Sequence, residues 1–371
     1  MVKIGLITFH RAVNYGAVLQ AYALQETLKE AGAQVQIIDF RSRTIENEYR
    51  LVKKYYGPLR YKIQVIVTEL MKIKGKISKR KKVERFIAGF LDLTESIYTD
   101  LDRLNSHFDA FVTGSDQVFN TDLTVKDKYV YFLSFAEKPR FSYAASFGKD
   151  YIREIDREWI SRELGRYCRI SVREESGIRI VREVCGKKAV VNLDPTFLLT
   201  ASRWRELESS LSGCDEPFIL VYNMMTSPLL YEAAEELKGI TKYKVIFVNH
   251  KNERLKFQHR NFNYRDDIGP EELLWLIDHA AYVLTSSFHG TVFSLLFHKK
   301  FLTVLPKGEP RIARNLALLK MAGVEDRYAL EKDELNRIEN EPDWQDVDRR
   351  IENGRISSLR YISEIVHIKD K

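Results

Sequence analysis

Short apolar segments alternate with helical patterns along most of this chain. Near the amino terminus, "KIGLITFH" is a continuous apolar run, and "LQAYALQETLKEAG" after it repeats apolar residues at helical spacing before a glycine. The same alternation recurs to beyond residue 300, which predicts an α/β fold built on parallel sheets. The predicted strands are "KIGLITFH", "QVQIIDF", "FDAFVTGSD", "RFSYAASFG", "RISVRE", "KAVVNLDP", "FILVYNM", "YKVIFVN", "AYVLTSSF" and "FLTVLP".

The composition changes near residue 200, where a polar stretch precedes a fresh strand–helix–strand series. We therefore predict an N-terminal Rossmann-like domain at 1–198, with a basic helical insertion at about 51–90, and a second Rossmann-like domain at 199–345. A terminal helix at 346–371 is expected to cross back to the first domain. The simplest architecture is two such domains facing across a cleft, with ligands at the carboxyl ends of the strands.

The chain has 371 residues, a net charge of +7 and three cysteines without a CxxC motif. The basic balance favours anionic partners, but no zinc-finger, RRM or KH pattern points to nucleic acid. The cysteine spacing predicts neither a disulfide framework nor a zinc site, and no metal site is expected. No apolar run reaches the roughly 18 residues of a membrane helix. The odd number and wide spacing of the cysteines favour a reducing compartment, so we expect a cytoplasmic protein.

One segment, residues 72–85, is dense in lysine and arginine and has a single acidic residue. It has two interpretations. A basic amphipathic helix is typical of contact with an anionic membrane surface, here the inner face of the membrane. The plainer alternative is a solvated helical insertion whose charges face water.

Polar residues in the first half cluster in loops that follow predicted strands. In "FHRAVNYGAVLQ", His10, Arg11, Asn14, Tyr15 and Gly16 lead into a helix whose free N–H groups suit an anion or a sugar hydroxyl. This loop is predicted to lie on the acceptor side. The alternative is that Asn14 is an N-cap and Gly16 only permits the turn.

Two further loops in the first half carry charged side chains. Ser115 and Asp116 follow the strand in "VTGSDQVFN", where the carboxylate suits contact with hydroxyls or base catalysis, or else caps the next turn. Arg173 ends the strand in "ISVREES", where it is placed to clamp a carboxylate or phosphate. The alternative for Arg173 is an ion pair with Glu174, Glu175 or Asp194.

The stretch "LTSSFHGTVFSLLF" places a histidine in the turn between a strand and a helix. Ser286, Ser287 and Thr291 surround His289 with hydroxyls, and Gly290 permits close backbone approach. A helix N-terminus favours anions, and a histidine there can act as an acid near neutral pH. A structural role for His289 is the alternative. Two cations beyond the next strand are expected to face the same site: Lys307 and Arg311.

Taken together, these loops resemble the polysaccharide pyruvyl transferase family. The matching stretches, in the family's order, are "FHRAVNYGAVLQAYAL", "VTGSDQVFN", "YAASFG", "ISVREES", "VNLDPTFLL" and "LTSSFHGTVFSLLF". The resemblance implies a GT-B-like fold. It also implies transfer of a pyruvyl group from phosphoenolpyruvate to two hydroxyls of a sugar, forming a cyclic ketal on a cell-surface polysaccharide or its lipid-linked precursor. Phosphoenolpyruvate is then a co-substrate, and no cofactor is expected.

The resemblance also suggests roles for single residues. It implies that His289 is the general acid or a phosphate ligand, and that Arg173 and Lys307 hold the anionic donor. The other residues predicted to contact the donor are Ser286, Ser287, Gly290, Thr291 and Arg311. Many family members have an arginine two positions before the histidine, but this chain has Ser287 there. Arg311, Arg314 and His10 are the candidates to supply the missing cation.

That departure keeps two other functions open. One is a GT-B glycosyltransferase with a nucleotide-sugar donor, which would use a similar cleft and a similar phosphate site. The other is a catalytically silent protein that binds a glycan or an anion during polysaccharide assembly.

Overall fold

The computed structural model describes residues 1–42, 59–214, 216–225, 227–248, 261–309 and 312–367, with side chains omitted for 59–72. The chain divides into two compact units. Unit 1 comprises Met1–Arg50, Arg85–Leu199 and Glu352–Lys371, and unit 2 comprises Leu51–Glu84 and Thr200–Ile351.

Unit 1 is built on a six-stranded sheet in which every pair of neighbouring strands is parallel. Its strands are β1 (Lys3–Ile7), β2 (Gln34–Ile37), β3 (Ala110–Asp116), β4 (Arg140–Ala145), β5 (Ile170–Val172) and β6 (Ala189–Val191). Their spatial order is β2-β1-β3-β4-β5-β6. Because the strands are parallel, the loops after β1, β3 and β5 emerge at one edge of the sheet.

Unit 2 contains a second parallel sheet of six strands. Its strands are β7 (Phe218–Tyr222), β8 (Lys244–Val248), β9 (Asn263–Arg265), β10 (Tyr282–Thr285), β11 (Phe301–Val304) and β12 (Tyr328–Ala329). The order is β12-β11-β10-β7-β8-β9. All ten strands predicted from the sequence are present. The two that were not predicted, β9 and β12, are two or three residues long and lie at the edges.

The helices cover the sheets, as parallel strands require. They are α1 (Tyr15–Glu30), α2 (Leu59–Phe90), α3 (Thr121–Thr124), α4 (Lys128–Tyr131), α5 (Glu154–Gly165), α6 (Glu175–Cys185), α7 (Ala201–Arg205), α8 (Pro228–Thr241), α9 (Pro270–His279), α10 (Phe288–Leu296), α11 (Ile312–Ala322) and α12 (Trp344–Val366). Short 3-10 helices span Leu101–Ser106, Val125–Asp127, Pro195–Phe197 and Lys332–Glu339.

The division into units can be set beside the predicted domains. The change from unit 1 to unit 2 falls between Leu199 and Thr200, one residue from the predicted boundary. The terminal helix contributes its last part to unit 1. The basic insertion differs from the prediction, because Leu51–Glu84 groups with unit 2. A physical reason is that Lys82 of α2 forms an ion pair with Glu272 of α9.

Candidate functional site

The loop after β1 is held to the end of β2 by a buried carboxylate. Asp39 accepts hydrogen bonds from Arg11 at 2.7 and 2.6 Å, and its Oδ1 lies 2.9 Å from Nε2 of His10. Ser96 donates to the same carboxylate. Burial would raise the pKa of Asp39, but hydrogen bonds from His10, Arg11 and Ser96 hold it well below its usual range. The structure thus gives His10 and Arg11 a structural partner, while their predicted contact with an acceptor stays a prediction.

The start of α1 is also fixed by internal hydrogen bonds. Asn14 is the N-cap, and its Oδ1 accepts from the N–H of Gly16 at 3.0 Å. Tyr15 and Ser115 are buried. Ser115 donates from its hydroxyl to Ala144 O, and its N–H donates to Gln20 Oε1 of α1. The cap offered as the alternative for Asn14 is therefore present.

Arg173 lies at the carboxyl end of β5 among three carboxylates. Its Nη1 donates to Asp194 Oδ2 at 3.0 Å, Glu174 lies 3.7 Å from its Nε, and Asp116 lies 3.9 Å from its Nη2. Burial would lower the pKa of the Arg173 guanidinium, but Asp194, Glu174 and Asp116 outweigh that effect and raise it. One cation among three carboxylates leaves this cluster with an excess of negative charge.

Asp116 has the conformation of a residue at a tight turn. Its φ of 67° is in the left-handed region, which is uncommon for a residue with a side chain. Its Oδ1 accepts from the N–H of Gln117 at 2.8 Å, and its side chain remains 15% exposed. The carboxylate is thus held in place by the backbone and still reaches solvent.

In unit 2, the serines after β10 build the start of α10. Ser286 Oγ accepts from the N–H groups of Met224 and Met225 at 2.8 and 2.9 Å. Ser287 is the N-cap, with its Oγ accepting from Gly290 N at 3.2 Å. Both serines are buried. These hydrogen bonds give the serines a structural task beside their predicted donor contacts.

Gly290 and Thr291 fit α10 tightly against the sheet. A Cβ at Gly290 would lie 2.3 Å from Thr285 Oγ1 and 2.9 Å from Tyr222 Cδ1. The hydroxyls of Thr291 and Thr303 are 2.9 Å apart and both residues are fully buried. Only glycine therefore fits at position 290 without displacing α10.

His289 is the second residue of α10, so it belongs to the first helical turn and not to the loop before it. The residue is partly exposed, although Nε2 of its ring is buried, and the ring centre lies 5.3 Å from that of Phe288. The guanidinium of Arg314, in α11, lies 5.9 Å from the centre of that Phe288 ring. A histidine, a helix N-terminus and an arginine thus lie close to one phenylalanine in unit 2.

The cations predicted after β11 have different placements. Lys307 is 74% exposed, and its ammonium donates to Glu331 at 2.6 Å, which raises the pKa of Lys307. Arg311 lies outside the described residues. Of the candidates for the missing family arginine, His10 contacts Asp39 in unit 1, whereas Arg314 lies beside the start of α10.

The sequence analysis did not identify a group in unit 2 that is formed by Glu208, Asp278 and His279. Their ligand atoms lie within 4.8 Å of one another, as in a metal site. However, Arg205 already donates to both oxygens of Asp278 at 2.7 and 3.0 Å. Burial and the charge of Asp278 raise the pKa of Glu208 to about 7. A proton shared between Glu208 and Asp278 suits this group better than a divalent cation, because the positive charge of Arg205 would repel the cation.

Comparisons with known proteins agree with this architecture. The family model described as polysaccharide pyruvyl transferase matches residues 14–308. The chain is similar in fold to MnaA of S. aureus, solved with UDP, at a TM-score of 0.53 and 11% identity, covering 98% of this chain and 96% of that one. It is also similar to a putative UDP-N-acetylglucosamine 2-epimerase from Listeria monocytogenes, at a TM-score of 0.51 and 9% identity, covering 98% of this chain and 90% of that one. No protein of curated function matches the sequence. The predicted GT-B-like fold class is confirmed.

Proposed function

Since the chain belongs to the polysaccharide pyruvyl transferase family, we propose that it transfers a pyruvyl group from phosphoenolpyruvate to a sugar. The acceptor is a cell-surface polysaccharide or its lipid-linked precursor, and the product is a cyclic ketal. The match over residues 14–308 is the observation that carries this proposal. The co-substrate is phosphoenolpyruvate, and the reaction requires no other cofactor.

The proposed chemistry has two bond-forming steps. An acid protonates the methylene carbon of phosphoenolpyruvate, and a sugar hydroxyl attacks the oxocarbenium-like centre that results. Phosphate then leaves, and a second hydroxyl closes the ketal. Of the two protons lost by the hydroxyls, one balances the proton given to the methylene carbon and the other leaves with phosphate.

Unit 2 has the features that an anionic donor needs. In this proposal His289 is the general acid or a phosphate ligand at the N-terminus of α10, where the helix dipole favours negative charge. Arg314 supplies the cation that relatives place at position 287, since it lies beside Phe288. Lys307 would bind the donor once its ion pair with Glu331 is broken. Breaking a surface ion pair of this kind costs little free energy.

Unit 1 has the features that hydroxyl groups need. Asp116 is held by the N–H of Gln117 and remains partly exposed, so its carboxylate suits the role of accepting a hydroxyl proton. The carboxylates around Arg173 compete with any anionic donor for that guanidinium. A donor-binding Arg173 would therefore have to exchange Asp194 for the donor carboxylate or phosphate.

Ligand binding followed by turnover tests the function. Phosphoenolpyruvate at millimolar concentration should raise the melting temperature, because a ligand bound to the native state stabilises it. With a sugar acceptor, the protein should then release inorganic phosphate. Stabilisation by UDP- or GDP-sugars with release of the nucleotide would replace the proposal with a glycosyltransferase. Binding of a glycan without any turnover would indicate a silent binding protein.

The role of Arg314 can be tested separately. Arg314→Gln should raise the KM for phosphoenolpyruvate roughly tenfold, which corresponds to one lost charge-assisted hydrogen bond. The exposed Arg349→Gln is the control and should leave KM unchanged. An unchanged KM in Arg314→Gln would assign the missing cation elsewhere.

A further inference from the structure

The positive charge of this protein is concentrated in α2. That helix has ten lysines and arginines against two glutamates, whereas the whole chain has a net charge of +7. The rest of the chain is therefore slightly acidic. The excess of positive charge therefore lies on one helix and is not spread over the general surface.

One side of α2 uses its cations to pack within unit 2. Lys82 Nζ donates to both oxygens of Glu272, at 2.6 and 2.8 Å. Burial lowers the pKa of Lys79 to about 8, although the charge of Asp266 acts in the opposite direction. Gly75 is packed so closely that a Cβ there would lie 2.8 Å from Cβ of Asp266. This inner side is fully engaged with the protein.

The opposite side carries Lys74, Ile77 and Lys81, spaced three and four residues apart on one helical face. All three are exposed, and Ile77 is 37% accessible. Neither lysine makes an ion pair with any residue that the structure describes.

We propose that this outer face of α2, defined by Lys74, Ile77 and Lys81, binds a membrane surface that contains anionic phospholipid. Interfacial helices combine lysines, which reach the headgroups, with aliphatic residues, which enter the acyl boundary. Lysines near such a surface contribute electrostatic attraction that salt screens. A purely solvated face would gain nothing from an exposed isoleucine between two lysines. A nucleic-acid surface would make no use of the exposed Ile77.

The contact is peripheral. Among the helices within the described ranges, none is both long and apolar enough to cross a bilayer. The inference stands independently of the proposed reaction, although docking would bring the protein to a lipid-linked acceptor.

Vesicle flotation with the full chain tests the proposal. Wild-type protein should float with phosphatidylcholine vesicles that contain 30% phosphatidylglycerol, remain unbound to pure phosphatidylcholine, and dissociate as salt is raised. The double variant Lys74→Gln/Lys81→Gln should lose roughly 25-fold in partition coefficient, about fivefold for each lysine near the surface. The matched control, Lys320→Gln/Lys332→Gln, removes two exposed lysines from other elements of unit 2 and should bind like the wild type.

A third variant separates lipid from other polyanions. Ile77→Ser should weaken binding to the anionic vesicles but leave binding to a DNA duplex unchanged. The proposal fails if wild type does not bind anionic vesicles at low salt, or if the Lys74/Lys81 variant binds them as the wild type does. It also fails if only the DNA duplex binds, since α2 would then be a nucleic-acid surface.

Discussion

The two strand-end regions of this protein differ in the charged groups that they bring together. In unit 1, Arg173 is outnumbered by Asp116, Glu174 and Asp194, so the cluster is net negative. In unit 2, the start of α10 combines a helix N-terminus with His289 and the nearby Arg314. An arginine at a strand end therefore does not by itself make an anion-binding site. The surrounding carboxylates decide the sign of the field.

That contrast suggests a division of labour between the units. A cluster rich in carboxylates suits neutral hydroxyls, which donate hydrogen bonds to it, whereas a positive helix end suits a carboxylate or phosphate. Each of the changes below tests one side of this contrast.

The largest effect is expected at the start of α10. His289→Gln should lower the rate of pyruvyl transfer by about 10²- to 10⁴-fold, the usual contribution of a positioned acid. Glutamine keeps a polar side chain, and the partly exposed position should leave the melting temperature nearly unchanged. Steady-state phosphate release measures the rate. Full activity in a folded His289→Gln protein would show that the histidine takes no part in the reaction. The start of α10 would then serve only to bind an anion.

The corresponding change in unit 1 should act on stability. Arg173→Met leaves the fully buried Asp194 without its ionic partner, and breaking a buried pair in this way costs about 3–5 kcal/mol. Denaturant unfolding measures this loss. Arg169→Met removes an exposed pair with Glu364 in the same unit and should cost less than about 1 kcal/mol.

The Arg173→Met variant also tests the predicted role of Arg173 in binding the donor. If Arg173→Met unfolds like the wild type but no longer saturates with phosphoenolpyruvate, then Arg173 is a donor clamp as the family resemblance implies. The charge contrast between the two regions would then be misleading.

A smaller effect is expected from filling the space at Gly290. Gly290→Ala places a methyl group against Thr285 and Tyr222, and such overpacking costs about 1–3 kcal/mol. The control is Gly239→Ala in α8, where a Cβ would meet no atom within 4 Å. Because alanine is the better helix former, that change should stabilise by about 0.5–1 kcal/mol. Equal melting temperatures for the two variants would show that α10 can shift away from the sheet.

The sequence predicted the sheets well because most of the inner strands are buried on both faces and therefore read as continuous apolar runs. It missed β9 and β12, since a strand of two or three residues has no periodicity to detect. The sequence predicts a turn around His289, whereas the helix already begins after Ser287. A serine whose hydroxyl accepts a hydrogen bond from the N–H three residues later is a normal N-cap.

The partners of the predicted site residues were foreseen only in part. The alternative of an ion pair between Arg173 and Asp194 or Glu174 is present in the structure, whereas the sequence did not indicate Asp116 beside Arg173 or Asp39 beside Arg11. Asp39 lies 28 residues from Arg11 in the chain, and Asp194 lies 21 residues from Arg173. Each aspartate follows the strand next to the one that precedes its arginine, Asp39 after β2 beside β1 and Asp194 after β6 beside β5. The rule that placed Arg173 at a strand end therefore also applied to them. What the sequence could not provide was the count of opposite charges around one guanidinium, because that depends on which loops meet.

The smallest effect should distinguish the units by their response to pH. In unit 2, the folded state raises the pKa of Glu208 to about 7 through burial and Asp278. Its contribution to stability is therefore complete below about pH 4.5 and is lost as the pH rises through 7. Glu208→Gln imitates the protonated form, so it should stabilise the protein by about 1–2 kcal/mol at pH 8 and by almost nothing at pH 5.

Asp39 in unit 1 has the opposite sign. Its pKa is depressed in the folded state, so its contribution is present above about pH 4 and is lost as the pH falls further. Asp39→Asn should therefore destabilise at pH 7 and lose this effect in acid, while the stabilisation by Glu208→Gln grows as the pH rises from about 4.5 to 7. Melting curves of both variants between pH 2 and 8.5 measure the two slopes. A stabilisation by Glu208→Gln that is the same at pH 5 and pH 8 would mean that Glu208 and Asp278 do not share a proton, which would reopen this group to a divalent cation.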